Sequence, residues 1–213
     1  MLIQPHSKLL FIGDSITDCG RRQPVGEGLN EAYGKGYVAL VNATLGAVCP
    51  EQRIRLVNMG TSGHTVKDLK SRWQTDVLDL KPDWLAIMIG INDVWRQFDL
   101  PLHSERHVDL AEYERTLEEL VRATRPRLKG LVLMTPFFIE SNKADAMRAR
   151  MDQYGKAVKK LAKAHGAILV DTQAAFDKVL RHDHSAALAW DRVHPSLTGH
   201  MVLARAFLQA VGA

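Results

Sequence analysis

The sequence has little cysteine and no long apolar run. Its 213 residues include two cysteines, without the Cys-x-x-Cys spacing of a redox pair or a zinc site. Two free thiols exclude a disulfide scaffold and favour a reducing compartment. The longest apolar run, residues 84–91, is far shorter than the ~20 residues of a membrane-spanning helix, and the first residues lack a secretory signal. We therefore expect a soluble, cytoplasmic protein without a membrane partner.

The charge pattern gives little support for a polyanionic partner. The net charge is only +4, and a run of lysines at 156–163 recurs at helical spacing beside apolar residues, which is typical of a solvated helix face. Nucleic-acid binding would favour basic residues interleaved with aromatics, so we expect no nucleic-acid partner. The run Gly34-Lys35-Gly36 lacks the remaining residues of a phosphate-binding loop, so no nucleotide cofactor is expected.

Short apolar runs alternate with longer amphipathic stretches along the whole chain. The runs predict strands at 9–12, 53–57, 84–89, 131–134 and 167–170, and the stretches predict helices at 36–48, 65–80, 109–125, 144–165, 172–181 and 196–211. This alternation is typical of a parallel sheet with helices on both faces. No linker or repeat interrupts it, so we predict one α/β domain over residues 1–213, with three α/β/α layers and a five-stranded sheet.

Polar residues follow the ends of the predicted strands. Ser15 comes just after the first strand, Gly63 after the second and Asn92 after the third, while Asp191 and His194 precede the last helix. Ligands of open α/β sheets bind at the carboxyl ends of the strands. We therefore expect these five residues to converge on one edge of the sheet.

These residue types suit acyl transfer. A serine hydroxyl needs a neighbouring base, which His194 can supply, and the base needs a carboxylate such as Asp191 to fix its tautomer. The backbone N–H groups of Ser15 and Gly63 and the side-chain amide of Asn92 could form the oxyanion hole. Ser15, Asp191 and His194 are therefore catalytic candidates, although a serine that follows a strand commonly caps a helix instead.

Four runs in this chain resemble the conserved blocks of the SGNH, or GDSL, hydrolases. They are residues 11–18 (FIGDSITD), 57–65 (VNMGTSGHT), 89–93 (IGIND) and 191–195 (DRVHP), in the family's order. Residues 13–21, 88–96 and 186–194 are similar to the small serine acetylxylan esterases of this family, whereas 181–184 depart from their pattern. The resemblance implies a flavodoxin-like fold, the same triad and oxyanion hole, deacetylation of xylose-based sugars, and an intracellular homo-oligomer such as an octamer.

Other functions remain open at this point. A thioesterase or lysophospholipase could use the same scaffold, and a non-catalytic sugar-binding module could use the same fold. Ser62 is a rival nucleophile and His64 a rival base, but Ser62 lacks the second glycine of a Gly-x-Ser-x-Gly elbow. Asp14 is expected to cap a helix or fix its loop.

The remaining candidates are tryptophans, a pair of histidines and one aspartate. Trp190 and Trp95 flank the predicted site and are expected to bind substrate, with a subunit contact or a core position as alternatives; Trp73 and Trp84 are expected in the core. His103 and His107 have no third ligand in sequence, so no catalytic metal is predicted. Asp93 is expected to pair with Arg96 or to cap its turn.

Overall fold

A five-stranded parallel sheet forms the centre of the computed structural model, which describes residues 1–213. The strands are β1 (Lys8–Gly13), β2 (Arg55–Gly60), β3 (Trp84–Met88), β4 (Gly130–Met134) and β5 (Ile168–Val170), in the spatial order β2-β1-β3-β4-β5. This is the flavodoxin-like order, in which the chain reverses direction across the sheet between β1 and β3.

Helices cover both faces of the sheet. They are α1 (Ser15–Asp18), α2 (Tyr37–Val48), α3 (Val66–Ser71), α4 (Ile91–Asp99), α5 (Leu110–Thr124), α6 (Ala146–Ala164), α7 (Thr172–Val179), α8 (Ser185–Leu188) and α9 (Leu197–Val211). Helices α2 and α7 pack against α9, whereas α3 and α6 pack against α5. The result is the α/β/α layering that the sequence predicts.

The core between these layers is continuous. A cluster of 55 buried apolar residues includes nearly every residue of β1, β3 and β4, because strands covered on both faces carry apolar side chains throughout. Trp73 and Trp84 are both 4% exposed and lie in this core, as predicted. No helix combines the length and apolar character needed to cross a membrane.

The structure differs from the sequence prediction in β2, in the helix at 65–80 and in three short helices that were not predicted, α1, α4 and α8. Strand β2 begins at Arg55 because Arg53 adopts a left-handed conformation, with φ 47°, after the turn Pro50–Gln52. The predicted helix at 65–80 is divided into α3 and a π-helical turn, Gln74–Leu78. Helix α4 was not predicted, since it starts at Ile91 after only two residues beyond β3.

The register of the three neighbouring strands aligns their carboxyl ends. Gly13 of β1 pairs with Gly60 of β2 on one side and with Met88 of β3 on the other. The segments that follow these strands therefore emerge side by side. They contain Ser15, Gly63 and Asn92.

Candidate functional site

Ser15 is the first residue of α1 and is held there by its neighbours. The Asp14 side chain is the N-cap of this short helix, since its Oδ1 accepts a hydrogen bond from the Ile16 N–H at 3.0 Å. Gly13 is needed for close packing, because a Cβ atom there would lie 2.3 Å from the Met88 carbonyl oxygen and 2.4 Å from Thr17 Oγ1. The turn from β1 into α1 thus fixes the backbone of Ser15, and Asp14 has the capping role expected of it.

Ser15, His194 and Asp191 form a continuous hydrogen-bonded chain. The Ser15 Oγ to His194 Nε2 distance is 3.0 Å, and the His194 Nδ1 to Asp191 Oδ2 distance is 2.6 Å. An ionised carboxylate only accepts hydrogen bonds, so Nδ1 carries the proton and Nε2 of the neutral ring is left as an acceptor. The Ser15 hydroxyl can then donate its proton to Nε2, which is the arrangement that activates a serine oxygen.

Asp191 is held as a carboxylate. Partial burial by itself would raise its pKa, but hydrogen bonds from the His194 ring and from the backbone N–H groups of His194 and Val193 outweigh this effect and hold the pKa below its usual value. The Asp191 and His194 side chains are 37% and 47% exposed. Both groups therefore lie at an open surface of the molecule.

Arg192 anchors the loop that carries this pair. Its φ of 63° places the turn in the left-handed region, and its Nη1 lies 2.8 Å from Glu140 Oε2. The guanidinium stacks on the Phe138 ring at 4.9 Å, and the Ile139 N–H donates to the Arg192 carbonyl oxygen at 2.9 Å. These contacts fasten the loop to the segment after β4 and add to the hydrogen bonds that Asp191 makes within the loop.

Three N–H groups near Ser15 are available to a ligand. The backbone N–H groups of Ser15 and Gly63 donate to no other protein atom. The buried Asn92 amide donates one Nδ2–H to the His64 carbonyl oxygen at 3.0 Å, which leaves its second Nδ2–H uncommitted. Gly63 has a φ of +80°, a conformation that residues with a Cβ rarely adopt. Donors of these kinds can stabilise a negatively charged oxygen beside the Ser15 hydroxyl.

The two rival residues are engaged elsewhere. Ser62 donates from both its backbone N–H and its Oγ to Asp18 Oδ2, at 3.2 and 2.7 Å. His64 Nδ1 accepts a hydrogen bond from Arg72 Nε at 3.0 Å. Burial, reinforced by the Arg72 charge, lowers the pKa of His64. Neither residue forms a serine–histidine–carboxylate chain.

The expected pairing of Asp93 with Arg96 is wrong. Asp93 is fully buried, and its Oδ1 accepts the Val66 N–H at the start of α3 at 2.9 Å. Arg96 instead pairs with Asp99 and donates from Nη2 to Asn92 Oδ1 at 3.1 Å. Since α4 is helical, the side chains of residues 92 and 96 lie on one face. The i, i+4 spacing would have identified this contact had α4 been predicted.

The two tryptophans that flank the site differ in environment. The Trp95 ring packs edge-on against the His194 ring, with centroids 5.8 Å apart. Trp190 is 92% exposed, which excludes the core position considered for it. A cavity of about 310 Å³ adjoins Gly63, and it is lined by polar and charged residues: Gly63, Thr65, Lys67, Asp68, Arg96, Glu105 and Arg106.

No group of three or more histidine, cysteine, aspartate or glutamate side chains could hold a metal ion. His103 Nδ1 instead lies 3.2 Å from Glu105, and His107 Nε2 lies 2.9 Å from the Leu100 carbonyl oxygen. These two histidines flank the single turn Ser104–Arg106. They make local contacts within that loop.

Comparison with known proteins gives close matches over the full chain. Residues 11–202 match the GDSL-like lipase/acylhydrolase family. An acetylxylan esterase from Geobacillus stearothermophilus is 61% identical over 212 residues, which cover 100% of this chain and 97% of that protein. The crystal structure of that esterase, Axe2, aligns with a TM-score of 0.99, again over 100% and 97% of the two chains.

A second solved structure is equally similar. LAE5, an α/β hydrolase enzyme from the metagenome of Lake Arreo in Spain, is 61% identical, with a TM-score of 0.98 over 100% of this chain and 98% of that one. Both proteins are therefore similar to this chain in amino-acid sequence as well as in fold. The predicted α/β/α architecture with its five-stranded parallel sheet is confirmed.

Proposed function

Because the chain belongs to the GDSL-like lipase/acylhydrolase family, we propose that it removes acetyl groups from acetylated xylo-oligosaccharides, with Ser15 as the nucleophile. The chain is a carboxylic ester hydrolase, as is its full-length relative at 61% identity. The observation that carries the proposal is the hydrogen-bonded chain from Ser15 through His194 to Asp191, at 3.0 and 2.6 Å.

The reaction follows from these contacts in two steps. Ser15 Oγ attacks the acetyl carbonyl carbon while His194 Nε2 takes the hydroxyl proton, and the carbonyl oxygen becomes an oxyanion that accepts from the Ser15 and Gly63 N–H groups and from Asn92. The bond from carbon to the sugar oxygen then breaks, and His194 returns its proton to that oxygen. A water molecule, deprotonated by His194, then attacks the acetyl-Ser15 ester; the bond from carbon to Ser15 Oγ breaks, acetate leaves, and His194 returns the proton to Ser15 Oγ.

Variants of the Geobacillus enzyme support these assignments. Its S15A, D191A and H194A forms are described as catalytic mutants, and the same residue types stand at these numbers in the present chain. The polarity of the neighbouring cavity supports a sugar leaving group, since its seven lining residues include none that is hydrophobic. A thioesterase or lysophospholipase for long acyl chains would need an apolar groove here.

We assign Trp95 to the wall of the acyl site, because its ring contacts His194. Trp190 precedes Asp191 and is 92% exposed, which suits either a stacking face for a sugar or a contact between subunits. A homo-oligomer is the quaternary structure we propose, with Trp190 as its candidate contact, since tryptophan is enriched in protein–protein interfaces. Two unpaired thiols suit a cytoplasmic location.

Acetate release from acetylated xylo-oligosaccharides tests the proposal directly. We expect turnover by the wild type, no turnover by Ser15→Ala, and nearly unchanged turnover by Ser62→Ala, a neighbouring serine whose hydroxyl bonds to Asp18. An octanoyl ester should be a much poorer substrate than an acetyl ester of the same alcohol. Preference for the octanoyl ester would favour a lipid-type acylhydrolase, and full activity of Ser15→Ala would exclude Ser15 as the nucleophile.

A further inference from the structure

The side-chain amide of Asn92 can act as an oxyanion donor in only one of its two orientations. Its Nδ2 must face the site together with the Gly63 and Ser15 N–H groups, and rotation by 180° would present the oxygen instead. A carbonyl oxygen there would repel an oxyanion. Something in the structure must therefore select the productive orientation.

Two contacts select it from opposite sides. The His64 carbonyl oxygen lies 3.0 Å from Asn92 Nδ2 and can only accept a hydrogen bond. Arg96 Nη2 lies 3.1 Å from Asn92 Oδ1 and can only donate one. The flipped amide would place oxygen against oxygen on one side and an N–H against a guanidinium on the other, so both neighbours oppose it.

Arg96 is itself held in place. Its Nη1 forms an ion pair with Asp99 on the same helix, and its guanidinium stacks over the Trp95 ring at 4.7 Å. The side chain is 23% exposed, so these contacts are partly shielded from solvent. A planar guanidinium can donate to Asn92 and to Asp99 at the same time from two different nitrogens. The ammonium group of a lysine has one nitrogen and cannot reproduce this two-pronged arrangement of donors, called here the fork.

We propose that Arg96 is a positioning residue for the oxyanion hole, acting through the Asn92 amide. This inference rests on the proposed esterase function. Arg96 also lines the polar cavity beside Gly63, so the competing role is a direct contact with the sugar. The two roles differ in which kinetic constant and which substrates they affect.

A double-mutant cycle with two substrates separates these roles. Wild type, Arg96→Ala, Asn92→Ala and the double variant are assayed on 4-nitrophenyl acetate, which has no sugar, and on an acetylated xylo-oligosaccharide. We expect Asn92→Ala to lower kcat by about 10² to 10³ and Arg96→Ala to lower it by about 10 to 10², the range for a hydrogen bond to a charged group. The Arg96 loss should be similar for both substrates, with little change in KM.

The decisive result is the effect of Arg96→Ala when Asn92 is already alanine. If Arg96 acts through Asn92, this second substitution should cause almost no further loss. Arg96→Lys keeps the charge without the fork and should remain well below the wild-type rate, while Arg122→Ala, an exposed arginine of α5, should match the wild type. Melting temperatures confirm that each variant is folded.

Three results would overturn the inference. An undiminished loss in the Asn92→Ala background would show that Arg96 acts independently, an effect confined to KM for the sugar substrate would show a binding role, and a fully active Arg96→Lys would show that charge alone suffices. If the wild type showed no Ser15-dependent turnover of either ester, the proposed function itself would fail, and the role of Arg96 with it.

Discussion

Ser15 and His194 lie 179 residues apart in the chain, yet their side chains are 3.0 Å apart because each follows a fixed turn at the same edge of the sheet. Their residue types, and those of Asp191, Gly63 and Asn92, could be identified from short motifs. Arg96 could not, because its contact with Asn92 one helical turn away depends on α4, which was not predicted.

At the residue scale, the backbone conformation of Gly63 positions the N–H group that we propose for the oxyanion hole. Its φ of +80° disfavours any residue with a Cβ, although a Cβ there would meet no atom within 4 Å. We predict that Gly63→Ala destabilises the protein by about 1–2 kcal/mol, lowering Tm by a few degrees, and reduces kcat by about tenfold or more as the loop shifts its N–H. Thermal melts and acetyl-ester kinetics measure both effects.

Gly46 provides the matched control for this substitution. It lies in α2 with no atom within 4 Å of an added Cβ and with no positive φ. Gly46→Ala should therefore stabilise the helix by roughly 0.5–1 kcal/mol and leave kcat unchanged. A Gly63→Ala variant with wild-type kcat would remove the Gly63 N–H from the oxyanion hole.

At the element scale, sequence patterns predicted the bounds of the strands more accurately than those of the segments between them. A strand buried on both faces is a continuous apolar run, and β1, β3 and β4 lie within one residue of their predicted ends. Helix α4 has no such signature, because it follows β3 almost at once and its first turn contains the polar residues Asn92 and Asp93. Tertiary contacts, including the hydrogen bond from Val66 to Asp93, help to hold its first turn.

Asp93 joins the start of α3 to α4 and should make stability depend on pH. Burial raises its pKa from 3.8 to about 7, and repulsion from Asp14 adds to this; its Oδ2 has no hydrogen-bond partner. Between pH 4 and 7 the folded state keeps a proton that the unfolded state loses, so this group's contribution to stability falls as pH rises. We therefore predict that Asp93→Asn gains stability relative to the wild type between pH 5 and pH 8.

Asp68 is the control at the same helix end. Its pKa is lowered because hydrogen bonds from the Thr65 backbone and hydroxyl outweigh the effect of burial, so it is ionised in both states across this range. The stability difference between Asp68→Asn and the wild type should therefore change with pH much less than that of Asp93→Asn, because Asp68 acts only through its charge on Asp93 and His64. Denaturant unfolding of the wild type and both variants at pH 5 and pH 8 measures how the free energy of unfolding changes with pH. An equal change in the wild type and in Asp93→Asn would exclude a raised pKa at Asp93.

At the scale of the whole molecule, the alternation of strands and helices was sufficient to predict the α/β/α architecture, which the likeness to solved structures confirms. A single domain remains a prediction, consistent with one core cluster of 55 residues. Surface roles were the least predictable from sequence. Trp190, for example, was considered for pocket, core and interface, and only its 92% exposure excludes the core.

Sedimentation velocity tests the proposed homo-oligomer. We expect the wild type to sediment as a species several times larger than the 23.8 kDa chain, and Trp190→Ala to shift the distribution toward the monomer. Leu102→Ala, which alters another apolar side chain with 93% exposure, should leave the assembly unchanged. A monomeric wild type would contradict the proposal, and an intact Trp190→Ala assembly with a raised KM would assign Trp190 to sugar binding.

The central claim is that His194 and Asp191 activate Ser15 as a nucleophile. Treatment with a fluorophosphonate, followed by peptide mass spectrometry, locates an activated serine directly. We predict one phosphonylated residue, Ser15, in the wild type and in Ser62→Ala, and no labelling in Ser15→Ala or His194→Ala. Labelling at Ser62, or an undiminished rate in His194→Ala, would contradict it.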